Sequence, residues 1–162
     1  MQVAFDSSFV ISLLSKRGSP ERDGRIKTLM DSLTLQKASI IIPAPVLVEV
    51  LVGVDPALGA EYYAKFTKPP FRLGPFGPRA VIECADLLRV ALTFRELRQV
   101  TKNKVKYDWM IVAIAKAESV RHVYHDDADV AAMCIRAGLA NTRIGNLPLS
   151  VKHATPQLPF DG

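Results

Sequence analysis

The segment Val3-Ala4-Phe5-Asp6-Ser7-Ser8-Phe9-Val10-Ile11-Ser12-Leu13-Leu14 decides the fold class. Its first three residues form a short apolar run that reads as a strand. Asp6, Ser7 and Ser8 carry side-chain oxygens suited to starting a helix, and Phe9 to Leu14 supply that helix with apolar residues. The order is strand, carboxylate, helix, with the carboxylate at the carboxyl end of the strand.

The same alternation continues outward. After the Gly18-Ser19-Pro20 break, Ile26, Leu29, Met30 and Leu33 recur at helical spacing, which predicts a helix from about Glu21 to Gln36. Ser39 to Ile42 is a short β-branched strand stopped by Pro43, and Pro45 suits the first turn of a helix over Val46 to Val52. Lys65 to Pro78 is rich in Pro and Gly and reads as a loop within the domain. A long helix is expected from Arg79 to about Val100, followed by a basic connection carrying Lys102, Lys104 and Lys106. Asp108 then opens a helix over Trp109 to Ser119. Val120 to His125 reads as a strand ending at Asp126-Asp127, and a last helix runs to about Ala137 and stops at Gly138. Asn141 to Leu149 offers an edge strand, and the proline-bearing residues 150–162 form an extended or disordered tail behind a domain of residues 1–149. Strands alternating with helices imply a parallel α/β sheet covered on both faces, with ligand sites beyond the carboxyl ends of strands, where Asp6 and Asp127 both sit.

Composition agrees with one globular domain: 162 residues, 49% hydrophobic and 23% charged, with no internal repeat. The net charge of +5 is compatible with a polyanionic partner such as nucleic acid. Cys84 and Cys134 lie far apart without metal-binding spacing and read as buried reduced thiols of a cytoplasmic protein. The first residues lack the basic start of a signal peptide, and no segment reaches the roughly 18 apolar residues of a membrane span. Dinucleotide, P-loop and GxSxG motifs are absent, which leaves those chemistries without their cradles.

The carboxylates are the candidate chemistry. Every residue from Val46 to Val52 except Glu49 is apolar, so the segment is expected to be largely buried. An ionised carboxylate there costs several kcal/mol unless a partner neutralises it, although Glu49 could equally mark one solvated stripe. Asp6 and Asp127 could each be a helix N-cap, and Asp108 could serve a helix dipole. Four carboxylates near one sheet edge would repel one another unless a divalent cation sat among them, and oxygen-only ligands suit Mg²⁺ or Mn²⁺. His122 and His125 point to opposite faces of a strand and His153 lies in the tail, so the histidines form no rival metal site.

Four segments together resemble the PIN-domain ribonucleases, particularly VapC-like toxins of toxin-antitoxin pairs: Val3 to Ser8, Pro45 to Gly53, Tyr107 to Ala115, and His125 to Val130. They occur in the family's order and span the chain to about Leu139. The resemblance implies a PIN-like three-layer α/β/α fold with a parallel sheet of four to five strands. It implies catalytic and metal-binding roles for Asp6, Glu49, Asp108 and Asp127, with Asp129 a further metal ligand. Asp126, Asp127 and Asp129 all lie in the turn that matches the family's fourth acid, and Asp127 ranks first. One or two Mg²⁺ or Mn²⁺ ions would then drive hydrolysis of an RNA phosphodiester. Arg72, Arg79, Lys102, Lys104 and Lys106 are candidates for holding the RNA backbone. An antitoxin protein and a symmetric homodimer are the expected partners. The competing readings are an inactive PIN-like RNA-binding or protein-interaction module and a haloacid-dehalogenase-like phosphatase. The latter expects a second Asp where this chain has Ser8.

Overall fold

The computed structural model describes residues 1–15, 18–93 and 102–149, the side chains of 92, 93 and 102–106 excepted. Its centre is a five-stranded, wholly parallel sheet: β1 (Gln2–Phe5), β2 (Ser39–Pro43), β3 (Phe71–Gly74), β4 (His122–His125) and β5 (Ala140–Arg143), in the order β3-β2-β1-β4-β5. Helices α1 (Ser7–Leu14), α2 (Pro20–Leu35), α3 (Ala44–Val52), α4 (Pro56–Phe66), α5 (Pro78–Thr93), α6 (Lys102–Ala117) and α7 (Ala128–Arg136) make the connections.

Alternation along the strands divides the core in two. Val3, Phe5, Ile40 and Ile42 join Phe9, Val46 and Leu33 on one face, while Ala4, Ile41 and Val123 join Trp109, Val112 and Cys134 on the other. Strands buried on both faces read as continuous apolar runs, as β1 and β2 do. Each fully buried Phe or Ile contributes about 1.5–3 kcal/mol.

The structure corrects several boundaries. Lys65 to Pro78 is not one loop: it contains the end of α4 and the edge strand β3, whose residues Ile40 to Pro43 of β2 accept as parallel partners. Gly74 lets β3 close in, because a Cβ there would sit 2.7 Å from Ile41 Cγ2 and 2.8 Å from Ile114 Cγ2. The lysines 102, 104 and 106 lie on the backbone of α6 rather than in a connection, and α5 is described to Thr93, the rest of the predicted helix falling outside the described residues. Gly138, at φ +71°, ends α7 in the left-handed conformation that glycine adopts without strain. Residues 150–162, including His153, lie outside the described residues. Among the described residues no helix is long and apolar enough to cross a membrane.

Candidate active site

The site is built outward from the central strand. Asp6 follows β1, and its N–H donates to the Tyr124 carbonyl at 3.1 Å, carrying the ladder to β4 one residue past the strand. Its carboxylate accepts the Phe9 N–H at 2.7 Å, capping α1, and the Ser8 hydroxyl at 2.8 and 2.9 Å. The capping reading is therefore correct. Only 2% of Asp6 is exposed, and burial pushes its carboxyl up to about 6. The Phe9 and Ser8 hydrogen bonds oppose that rise, while the charges of Asp127 and Asp126 add to it. Below, burial and the Asp6 charge together push the Cys134 thiol up to about 12, so it stays protonated and unreactive, as expected of both buried, free cysteines.

The turn after β4 separates three acids that are indistinguishable in sequence. Asp126 pairs with Arg22 of α2 at 3.0 Å and with Arg143 of β5 at 3.1 Å, and its N–H donates to Ser8 Oγ at 2.7 Å. Arg22 also donates to the Ser12 hydroxyl. Asp126 is thus committed to tying α1, α2 and β5 together. Asp127 caps α7 by accepting the Asp129 N–H at 2.7 Å, and its charge is felt at Asp6. Asp129 is exposed in the first turn of α7. No local pattern in the sequence marks Ser8, Arg22 or Arg143 as site residues, because their pairings with Asp126 span 118, 104 and 17 positions.

Asp108 does not open its helix. It lies in the second turn of α6, beyond the reach of the dipole explanation, with 9% of its surface exposed. It shares a helical stripe with Ile111, which belongs to the same buried cluster as Phe5 and Phe9, the residues on either side of Asp6 and its turn.

Glu49 departs from expectation. Pro45, Val46, Leu47 and Val50 form the inner face of α3, while Glu49 is exposed beside Val48 and Val52, themselves 50% and 82% exposed. The segment is not buried throughout, so the desolvation argument for Glu49 fails and the solvated-stripe description fits. Among the described residues, no three His, Cys, Asp or Glu side chains are grouped tightly enough to hold a metal ion.

Of the basic candidates, Arg72 is ion-paired at 2.6 Å with Glu118, which lies just before β4 enters the sheet, away from Asp6. Arg79 is exposed in the first turn of α5, shortly after the carboxyl end of β3. The side chains of Lys102, Lys104 and Lys106 lie outside the described residues. His122 and His125 bond to Thr142 and Asn141 of β5 at 2.8 and 2.9 Å, as structural residues do.

No family model and no curated protein matches the chain in sequence. Solved structures do match in shape. VapBC2 from Rickettsia felis, bound to a promoter DNA fragment, superposes with a TM-score of 0.65 at 14% identity, covering 88% of this chain and 98% of that one. VapBC-1 from nontypeable Haemophilus influenzae gives 0.67 at 10% identity over 90% and 100%. VapC20 from Mycobacterium tuberculosis, a sarcin-ricin loop cleaving toxin, gives 0.57 at 17% identity over 80% and 93%. With its parallel sheet and two helical layers, this chain has the PIN-like α/β/α fold of those VapBC and VapC structures.

Proposed function

We propose that this chain is a ribonuclease that hydrolyses RNA phosphodiester bonds with Mg²⁺ or Mn²⁺ held by Asp6 and Asp127, with Asp108 and Asp129 at the same edge. The observation that carries the reading is Asp6: a carboxylate at the end of the central strand, almost wholly buried, next to further negative charge and held above its ordinary range. Stability alone does not favour such a group, and clusters of this kind concentrate at working sites. A hard divalent ion would relieve both the burial cost and the repulsion.

The donor set fits Mg²⁺ in kind and in openness. All candidates are carboxylates, and Mg²⁺ is commonly held by one or two of them plus waters and substrate phosphates, so a three-ligand cage is not required. When bound, the ion would supply an activated water and stabilise the leaving oxygen. The chain's own part is positional. Phe9 N–H and Ser8 Oγ fix the Asp6 carboxylate, the α7 cap fixes Asp127, and the Arg22–Asp126–Arg143 clamp holds the turn that carries it. Arg79 and the lysine-bearing start of α6 supply positive charge for the RNA backbone, whereas Arg72 is spent on Glu118. Glu49, on the exposed face of α3, is the remaining member of the expected acid set.

An antitoxin and a homodimer belong to the same reading. The VapBC neighbours support the first, and exposed Ile11, Val48 and Val52 leave apolar surface for either partner. The test is direct. Purified protein is expected to cut single-stranded RNA with Mg²⁺ or Mn²⁺ and to stop in EDTA, and Asp6→Asn should lower the rate by roughly 100-fold or more. Undiminished cutting in EDTA would refute the metal mechanism, and a folded protein that cuts no RNA would leave the inactive binding module standing.

A further inference from the structure

Beside the acidic turn, α7 and β5 enclose a cleft of about 410 Å³, within the usual size range of small-ligand sites. Its walls are His125, Asn141, Thr142, Arg143 and Asn146, with Ala131 among the small residues of α7. No carboxylate lines it, although Asp126 and Asp127 directly follow His125 in the chain. A cation therefore has no reason to settle there. Amides, a hydroxyl, a ring and a guanidinium instead offer paired donors and acceptors at fixed positions, the chemistry that reads the edge of a nucleobase.

His125 adds an independent observation. It is 1% exposed, its Nε2 lies 2.9 Å from Asn141 Oδ1, and its Nδ1 is buried without a protein hydrogen-bond partner. The Asn141 amide nitrogen donates to the Leu139 carbonyl at 3.4 Å, which turns Oδ1 toward the ring. With Oδ1 as its partner Nε2 is the donor, and Nδ1 has no protein partner. The buried ring thus serves the cleft through Asn141, whose side chain it holds in place. Arg143, bonded to Asp126 through Nε at 3.1 Å, joins the cleft to the acidic turn and offers a planar face on which a base can stack.

We propose that this cleft receives one unpaired nucleobase of the RNA, next to the phosphate that is cut, and so sets a base preference; the inference rests on the ribonuclease reading. The base stacks on Arg143 and presents its polar edge to Asn141 and Asn146, while the buried His125 ring holds Asn141 in place. Small side chains on α7 leave it room.

The experiment measures binding in EDTA, where nothing is cut, using fluorescein-labelled single-stranded RNA hexamers and matched hexamers carrying one abasic position. Base-containing hexamers should bind about three- to tenfold more tightly than abasic ones, the scale of one or two hydrogen bonds. Asn146→Ala, at an exposed position, and Ala131→Leu, which fills the cleft, should each remove that difference without weakening the abasic hexamers. Equal affinity for the two kinds of RNA, or binding of neither, overturns the proposal, as does an unchanged difference in both variants. The two readings fail separately. Base-dependent binding by a protein that never cuts RNA with Mg²⁺ or Mn²⁺ would sink the ribonuclease and keep the cleft; metal-dependent cutting with equal affinities would do the reverse.

Discussion

Asp6 and Asp127 follow adjacent parallel strands, and each carboxylate holds the first turn of the next helix, Asp6 through the Phe9 N–H and Asp127 through the Asp129 N–H, both at 2.7 Å. Two caps thereby place two negative charges at one edge of the sheet. Capping and metal binding do not compete, because a carboxylate has a second oxygen.

The pH dependence of stability follows from Asp6. Its carboxyl titrates near 6 in the folded chain against 3.8 ordinarily, so between those values the folded state binds more protons than the unfolded one. Stability therefore falls as pH rises from about 4 to 6, and the full penalty, about 3 kcal/mol, is present at pH 7. Asn also caps helices, so Asp6→Asn should be more stable than the parent at pH 7 in EDTA, with the two converging near pH 4. Thermal melts across that range check it; a constant gap would show that the charge of Asp6 is not the cause.

Glu49 and Asp6 should respond differently. Because Glu49 is exposed, Glu49→Gln should change stability by no more than about 0.5 kcal/mol. If it serves the metal from the surface of α3, cleavage should drop by about tenfold. Denaturant unfolding and initial rates on one preparation separate the two effects, and an unchanged rate would reduce Glu49 to a solvated side chain.

Asp126 should behave as a positioning residue. Its pairs with Arg22 and Arg143 are partly exposed, so each should couple by about 0.5–1 kcal/mol in a double-mutant cycle. Asp126→Asn should lower cleavage while leaving the Mg²⁺ concentration at half-maximal rate nearly unchanged, whereas Asp127→Asn should raise it. The opposite pattern would exchange the roles of the two acids.

Gly74→Ala tests the packing of β3. The added methyl meets Ile41 and Ile114 from two sides, and overpacking of this kind costs about 1–3 kcal/mol. Urea midpoints measure it. A neutral substitution would mean that the edge strand moves away at little cost.

Expression of the chain alone in a bacterial host should arrest growth, and co-expression of a cognate antitoxin should restore it. Normal growth with soluble protein active on RNA in vitro would remove the toxin reading and keep the nuclease.

Much of this architecture was legible where local pattern and fold agree. The apolar runs at Val3, Ile40 and Val123, the cap residues Asp6 and Asp127, and Gly138 each report their own backbone. What escaped reading depended on contacts between distant segments. Strand β3 is hidden among prolines and glycines because its pairing with β2, not its own composition, makes it a strand. The outer valines of α3 disguised Glu49 as buried. Asp126 looked like a rival to Asp127 until Arg22 and Arg143, remote in sequence, were seen to claim it.

The order of the strands also carries a consequence for biosynthesis. β1, made before the two strands that flank it, lies in the middle of the sheet between β2 and β4, and β4 does not begin until His122. During N-to-C synthesis one edge of β1 has no native neighbour until most of the chain has left the ribosome, and Asp6 has no Asp127 beside it. An unfinished chain thus lacks the paired carboxylates and exposes an open edge prone to mispairing. Truncation before about residue 120 is expected to give an aggregating protein in which the acidic edge of the sheet never assembles.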